Sequence, residues 1–321
     1  MKNTFLKFYS FFFILAFFHP AFVYSAAGRE GAAFLTVPVG AGPSSMGGAY
    51  TALATDAYAS FYNPAGAPFL SQPQLASQHV EYLESLHNEF VSLVIPFKSK
   101  HGIGVAFEYM GSDKITRTDQ NGLKSDDFSN YDGMLSLSYG FKVQDNVSLG
   151  LTGKTIRSKL DTESANAIAM DLGTLWKVSN HLTLGAAITN LGTSVKFINQ
   201  SDPLPLSYKL GMAVIPHKAW TFSLEGISRR SDNLNGHFGA QYRPVPLLSL
   251  RAGYRTSTTK DVSSQAGMTM GLGLELWGQE FSYAFLPMDD LGNTNYFSFV
   301  LRFDHPETPR LSLSVEDPLA E

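Results

Sequence analysis

Residues 248–255 read LSLRAGYR, with Leu248, Leu250, Ala252 and Tyr254 alternating against Ser249, Arg251, Gly253 and Arg255. Successive side chains of a β-strand point to opposite faces, so this stretch carries one apolar face and one polar or small face. The same alternation continues outward. Trp220, Phe222 and Leu224 oppose Thr221, Ser223 and Glu225. Leu182, Leu184, Ala186 and Ile188 oppose Thr183, Gly185, Ala187 and Thr189, and Met268, Met270, Leu272 and Leu274 oppose Thr269, Gly271 and Gly273. About fourteen such strands fit between residues 74 and 303, most near ten residues long, where soluble strands average about five or six. Tight turns such as Lys98–Lys100 alternate with longer connections at 112–130, 191–204 and 257–264. An even strand count with short turns at one end and long loops at the other predicts an all-β chain: a transmembrane antiparallel β-barrel of about 14 strands. A soluble sandwich or a large up-and-down barrel shares the alternation. Strand length and the scarcity of charge favour the membrane.

That scarcity is marked: 16% of residues are charged, against 44% hydrophobic and 13% aromatic, with 28 glycines. Soluble chains carry about 25% charged residues, whereas a barrel replaces part of its charged surface with a lipid-facing belt and aromatic girdles. There are no cysteines, which removes disulfides and thiolate chemistry.

At the start of the chain Lys2 and Lys7 precede an apolar run from Phe8 to Phe18, followed by VYSAAG. The run is shorter than the roughly 20 residues of a spanning helix, so residues 1–25 are expected to be a signal peptide cleaved near Ser25. Loss of its two lysines takes the formal charge from -4 to about -6, and nucleic acid is not an expected partner. The domain reading is therefore a signal peptide (1–25), an N-terminal segment (26–73), a barrel (74–303) and a polar, proline-containing periplasmic tail (304–321).

Residues 28–70, GREGAAFLTVPVGAGPSSMGGAYTALATDAYASFYNPAGAPFL, break the strand pattern. Small residues such as Gly47, Gly48, Ala49, Ala52 and Ala54 permit close backbone approach, and Asn63-Pro64 is a turn signal. A compact apolar segment directly before the first strand suits a plug packed inside the lumen. A leader folded beneath the barrel is the alternative. MGGAYT lacks the spacing and the lysine of a phosphate-binding loop.

The run resembles the N-terminal signature of the PorV/PorQ family of outer-membrane barrels, related in architecture to the FadL fatty-acid transporters. The matching pieces are Phe34-Leu35 with Pro38-Val39, then Met46-Gly47-Gly48-Ala49-Tyr50-Thr51-Ala52, Asp56-Ala57, and Tyr62-Asn63-Pro64-Ala65-Gly66. The resemblance implies an outer-membrane barrel with a hatch built from Met46, Gly47, Gly48, Ala49, Tyr50, Asn63, Pro64, Ala65 and Gly66. It further implies a passive channel for hydrophobic or amphipathic small solutes, or alternatively a barrel partner in type IX protein secretion. A purely structural barrel is a third class.

Strand phase places Glu108, Lys154, Asp171, Glu225, Arg251 and Glu275 toward the lumen, as ion-paired packing or as ligand contacts. Residues 295–303, NYFSFVLRF, put Phe297, Phe299, Leu301 and Phe303 on one face, and Phe299, Leu301 and Phe303 resemble the terminal insertion signal read by the barrel assembly machinery. The 304–321 tail departs from that pattern. No metal, cofactor or catalytic motif is present, so the chain is expected not to be an enzyme. Outer-membrane lipid, a hydrophobic small-molecule ligand and secretion-system proteins are the partners that this reading allows.

Overall fold

The computed structural model describes residues 30–81, 86–119, 123–230, 232–256, 267–287 and 292–303. The expected signal peptide (1–25), the expected 257–264 loop and the tail (304–321) lie outside the described residues. The strands are β1 (Gln74–Glu81), β2 (Leu86–Phe97), β3 (His101–Ser112), β4 (Ile115–Thr118), β5 (Lys124–Phe128), β6 (Asn130–Gln144), β7 (Val147–Leu160), β8 (Glu163–Lys177), β9 (Leu182–Gly192), β10 (Val195–Phe197), β11 (Gln200–Asp202), β12 (Ser207–His217), β13 (Trp220–Arg229), β14 (Asp232–Val245), β15 (Leu248–Arg255), β16 (Met268–Leu276), β17 (Gln279–Pro287) and β18 (Asn293–Arg302). Fourteen of them form one closed antiparallel barrel, β1-β2-β3-β6-β7-β8-β9-β12 and onward through β18 back to β1. Closure leaves no unpaired edge, which a sheet in hydrocarbon requires. The two remaining pairs, β4 with β5 and β10 with β11, are short hairpins inside the long connections 112–130 and 191–204.

The two faces of the wall differ as the alternation predicts. Leu137 and Ile168 are 63% and 62% exposed on the outside, while Ser138 and Ala167 beside them are buried. A band of outward Leu, Phe, Val, Ile and Met runs round the barrel, far more apolar surface than a soluble chain leaves open. At the tight-turn end, Trp220 stacks on Tyr242 with ring centroids 4.4 Å apart, and Trp277 stands out of its turn. Aromatic rings there mark one edge of the lipid belt. Phe299, Leu301 and Phe303 lie on this outer face, with Phe299 against Phe281 at 4.4 Å.

Leu250 faces outward and Ser249 inward. Leu250→Arg is expected to cost about 2 to 4 kcal/mol, the penalty of a lipid-facing cation near mid-membrane. Urea unfolding from lipid vesicles measures it. Unchanged stability would reverse the assigned faces of β15.

Residues 30–73 contribute the few helical turns: a 3-10 turn at Ala33–Thr36, α1 (Ala41–Ser45), α2 (Ala59–Tyr62) and a 3-10 helix at Pro64–Phe69. Nearly all of their side chains are buried, against the inner face of the wall.

Candidate functional site

The lumen is occupied by residues 30–73, which run from the long-loop end to the tight-turn end before entering β1. At the long-loop end Gly31 N donates to Pro203 O at 3.0 Å. Phe34 and Leu35 then join Met134, Ile156, Ala165, Ala167 and Ala169 of the inner wall and Val195 and Leu204 of the loop above in one apolar cluster.

Below this cluster the chain turns through Met46-Gly47-Gly48. Gly47 and Gly48 have φ of +67° and +71°, a conformation that favours glycine, and a Cβ at Gly47 would lie 2.7 Å from Phe238 O. Thr269 Oγ1 accepts from Gly47 N at 3.0 Å and donates to Ser45 O at 2.9 Å. Ala49 is buried, and Thr51 N donates to Glu225 Oε2 at 2.8 Å. Tyr50 packs on Tyr62 and its hydroxyl donates to Asp56 Oδ2 at 2.5 Å.

Asn63 is fully buried and ties three parts together. Its Nδ2 donates to Thr51 O (2.9 Å) and to Thr174 O (3.0 Å), and its Oδ1 accepts from Ala65 N (3.2 Å). Asn63-Pro64-Ala65-Gly66 reads in sequence as a turn delivering the chain to the first strand. The structure corrects this: Asn63 is the N-cap of the 3-10 helix Pro64–Phe69, with Pro64 at its first position.

That helix lies on β3, β6, β7 and β8, where Gly102, Gly140, Gly150 and Gly173 fall in register across the neighbouring strands. A Cβ at Gly102 would lie 2.5 Å from Ala67 C and one at Gly140 would lie 2.6 Å from Pro64 O. Cβ atoms at Gly150 and Gly173 would overlap Ala65 N and Asn63 Oδ1. The row of glycines is thus the seat of the helix, and sequence reasoning missed it. At the tight-turn end Phe69 sits between Lys142 and Lys177, whose ammonium groups are 4.8 and 4.3 Å from the ring centroid.

Five of the six expected lumen-facing charges, Glu108, Lys154, Asp171, Glu225 and Arg251, are buried on the inner face of the wall. Glu108 Oε1 accepts from Asn88 Nδ2 at 3.0 Å, Asn88 Oδ1 accepts from Gln78 Nε2 at 2.7 Å, and Gln78 Oε1 accepts from Gly40 N, so a polar chain links wall to segment. Lys154 Nζ lies 2.8 Å from Asp171 Oδ2 and donates to Asn190 Oδ1 at 2.8 Å, while Asn190 N donates to Asp171 Oδ1. This pair fills a shift in the β8–β9 register between Met170 and Leu172. Arg251 donates to Gln241 (2.7 Å), Ser282 (2.9 Å) and Glu280 (2.6 Å). Glu275 is at the rim, not inside the occupied lumen: it pairs with Arg302 at 3.4 Å, about a third exposed, because β16 ends one residue later.

Burial pushes the Asp56 carboxyl up to about 6, against the lowering effect of its bonds from Tyr50 and from Tyr58 N. A carboxyl whose pKa is higher folded than unfolded favours the folded state below its unfolded value, and this contribution is lost as pH rises from about 4 through 6. Seating of the segment is therefore expected to weaken over that window, and Asp56→Asn to flatten the change. A conductance against pH curve identical for wild type and Asp56→Asn would contradict it.

Solved structures share this architecture, among them three hydrocarbon channels and transporters. The Pseudomonas putida toluene transporter TodX matches with a TM-score of 0.57 and 13% identity, over 82% of this chain and 96% of that one. The Ralstonia pickettii toluene transporter TbuX matches with 0.57 and 12%, over 83% and 99%. The CymD monoaromatic hydrocarbon channel matches with 0.56 and 14%, over 84% and 98%. At these identities the likeness is one of fold. A search of the curated proteins finds no match. The model of UPF0164, an uncharacterised protein family, matches residues 22–269, from before the luminal segment to the start of β16, and this chain belongs to that family.

Proposed function

We propose that the protein is an outer-membrane channel for hydrophobic or amphipathic small solutes, passive and without a chemical step, whose lumen is plugged by residues 30–73. The observation that carries this reading is the occupied lumen. An open aqueous pore cannot hold an apolar solute, whereas a filled lumen with an apolar upper cluster around Phe34 and Leu35 can bury it, at roughly 25 cal/mol per Å² of apolar surface. The shared fold with two toluene transporters and a monoaromatic hydrocarbon channel supports it. Mass spectrometry of an organic extract of the purified protein tests it. A small hydrophobic or amphipathic compound enriched over an unrelated barrel purified in parallel is expected, and an extract holding only bulk membrane lipid would count against the channel.

In this reading the long connections face outside the cell and the tight turns face the periplasm, as for a barrel inserted from within. Single cysteines at Leu123→Cys and Ser99→Cys, in a chain with no other cysteine, are expected to react with an impermeant reagent in intact cells only at position 123. Reaction only at 99 would invert the orientation.

The PorV/PorQ resemblance brings the alternative of a partner in type IX secretion. Most of the residues that carry it, among them Met46 to Ala49, Thr51, Ala52 and Tyr62 to Gly66, are buried inside the barrel, a position that suits a hatch better than a docking surface for secretion proteins. Secreted cargo retained in a deletion strain would favour the alternative.

A further inference from the structure

The seat of the segment is unequal round the barrel. On the β3–β8 wall the Pro64–Phe69 helix leaves no space over its glycine row, and the hydroxyls flanking that row are bonded: Ser138 with Thr152 at 2.9 Å, Thr174 to Ser148 O at 3.2 Å, and Ser148 to Ala65 O. The opposite wall differs. There a cavity of about 30 Å³ lies above the segment, among Pro38, Gly48, Ser207, Lys209, Arg229 and His237. A second, of about 170 Å³, lies below it, among Pro43, Met46, Thr221, Gln241, Glu280 and Arg302.

Both cavities use β12, β13 and β14, and the turn Met46–Thr51 contributes Met46 and Tyr50 to the lower one and Gly48 to the upper one. Polar atoms at this septum are poorly served. Ser223 Oγ, Glu225 Oε1 and both ring nitrogens of His237 are buried with no hydrogen-bond partner. His237 is 3% exposed and lines the upper cavity. Buried polar groups without partners are costly, so a dry septum is a poor resting place for them, and a guest that supplies hydrogen bonds is favoured. The upper cavity has room for about two water-sized groups, enough for a polar head but not for a hydrocarbon ring.

We propose that solute crosses the lumen along the β12–β14 wall, through the Met46–Thr51 septum, and that Ser223, Glu225 and His237 select amphipathic solutes with a hydrogen-bonding head over plain hydrocarbons. The proposal rests on the channel reading and adds its route and its solute class. An apolar molecule on this path would leave Ser223 Oγ, Glu225 Oε1 and the His237 ring nitrogens unpaired, while a hydroxyl or similar group would satisfy them in passing.

Substituted cysteines in the full-length, cysteine-free chain test the route. Ser223→Cys and Thr221→Cys are expected to react in intact protein with a small charged methanethiosulfonate, and Ser138→Cys on the opposite wall to stay protected. Benzyl alcohol is expected to slow the Ser223→Cys reaction severalfold, and toluene at equal concentration to leave it unchanged. Protection at position 223 with reaction at 138 would overturn the route, and equal slowing by both probes would overturn the selectivity. If Ser223→Cys is inert while deletion of residues 30–69 still raises conductance, the channel stands and this path through it falls. If the deletion changes nothing either, the channel reading itself falls.

Discussion

Gly150→Val is expected to open the barrel. Residue 150 faces inward on β7, and a side chain there would collide with Pro64 and Ala65, driving the 3-10 helix off its seat. The strand itself tolerates the change, because the ladder bonds of β7 are backbone bonds and valine suits a pleated strand. The variant should fold into a barrel whose ion conductance in planar bilayers is severalfold above wild type. Gly153→Val is the matched comparison, since residue 153 is exposed on the outer face of the same strand and a Cβ there meets nothing within 4 Å. It should conduct as wild type does. A folded Gly150→Val barrel with wild-type conductance would mean that the Pro64–Phe69 helix does not close the tight-turn end.

Lys154→Met should be the most destabilising substitution in the wall. It leaves Asp171, fully buried, without its cation, and breaking one half of a buried pair costs about 3 to 5 kcal/mol. Asn190 also loses a donor to its side-chain oxygen. Adding Asp171→Leu removes the stranded charge and should recover most of the loss, since apolar replacement of both partners is often tolerated. Urea unfolding of the single and double variants measures this. A single variant as stable as wild type, or a double variant no better than the single, would contradict the pairing.

The strands were legible because lumen and lipid impose opposite demands on alternate residues. Leu250 against Arg251 and Leu151 against Thr152 state the phase without any knowledge of the fold. The same phase placed Glu108, Lys154, Asp171, Glu225 and Arg251 inside. Their partners were not legible, because those depend on register between strands: Glu108 meets Asn88 of β2, and Asp171 meets Lys154 of β7. The glycine seat was hidden for the same reason. Gly102, Gly140, Gly150 and Gly173 are 71 residues apart in total and become one row only when β3, β6, β7 and β8 are aligned. The hairpins β4–β5 and β10–β11 are only three to five residues a strand, so their sequences, ITRT with KSDDF and VKF with QSD, are too short for the alternation of Val195 and Phe197 about Lys196 to stand out from loop. Asn63-Pro64 carried a legible signal that admits two meanings. Asn before Pro is a turn, and it is also an N-cap followed by a preorganised first residue, which is how the buried segment uses it.

Both the glycine row and the Asn63 cap place the luminal segment against the wall by contacts that the barrel's own ladder does not use. The strand pairing involves residues 74 to 302 alone. Removing the segment therefore separates closure of the lumen from formation of the barrel, and the most direct measurement is single-channel conductance in planar bilayers of a variant lacking residues 30–69, the Pro64–Phe69 helix included. A correctly folded deletion barrel should conduct ions at severalfold or more the wild-type level. Conductance equal to wild type in that folded barrel would contradict a lumen plugged by the chain's own N-terminal segment.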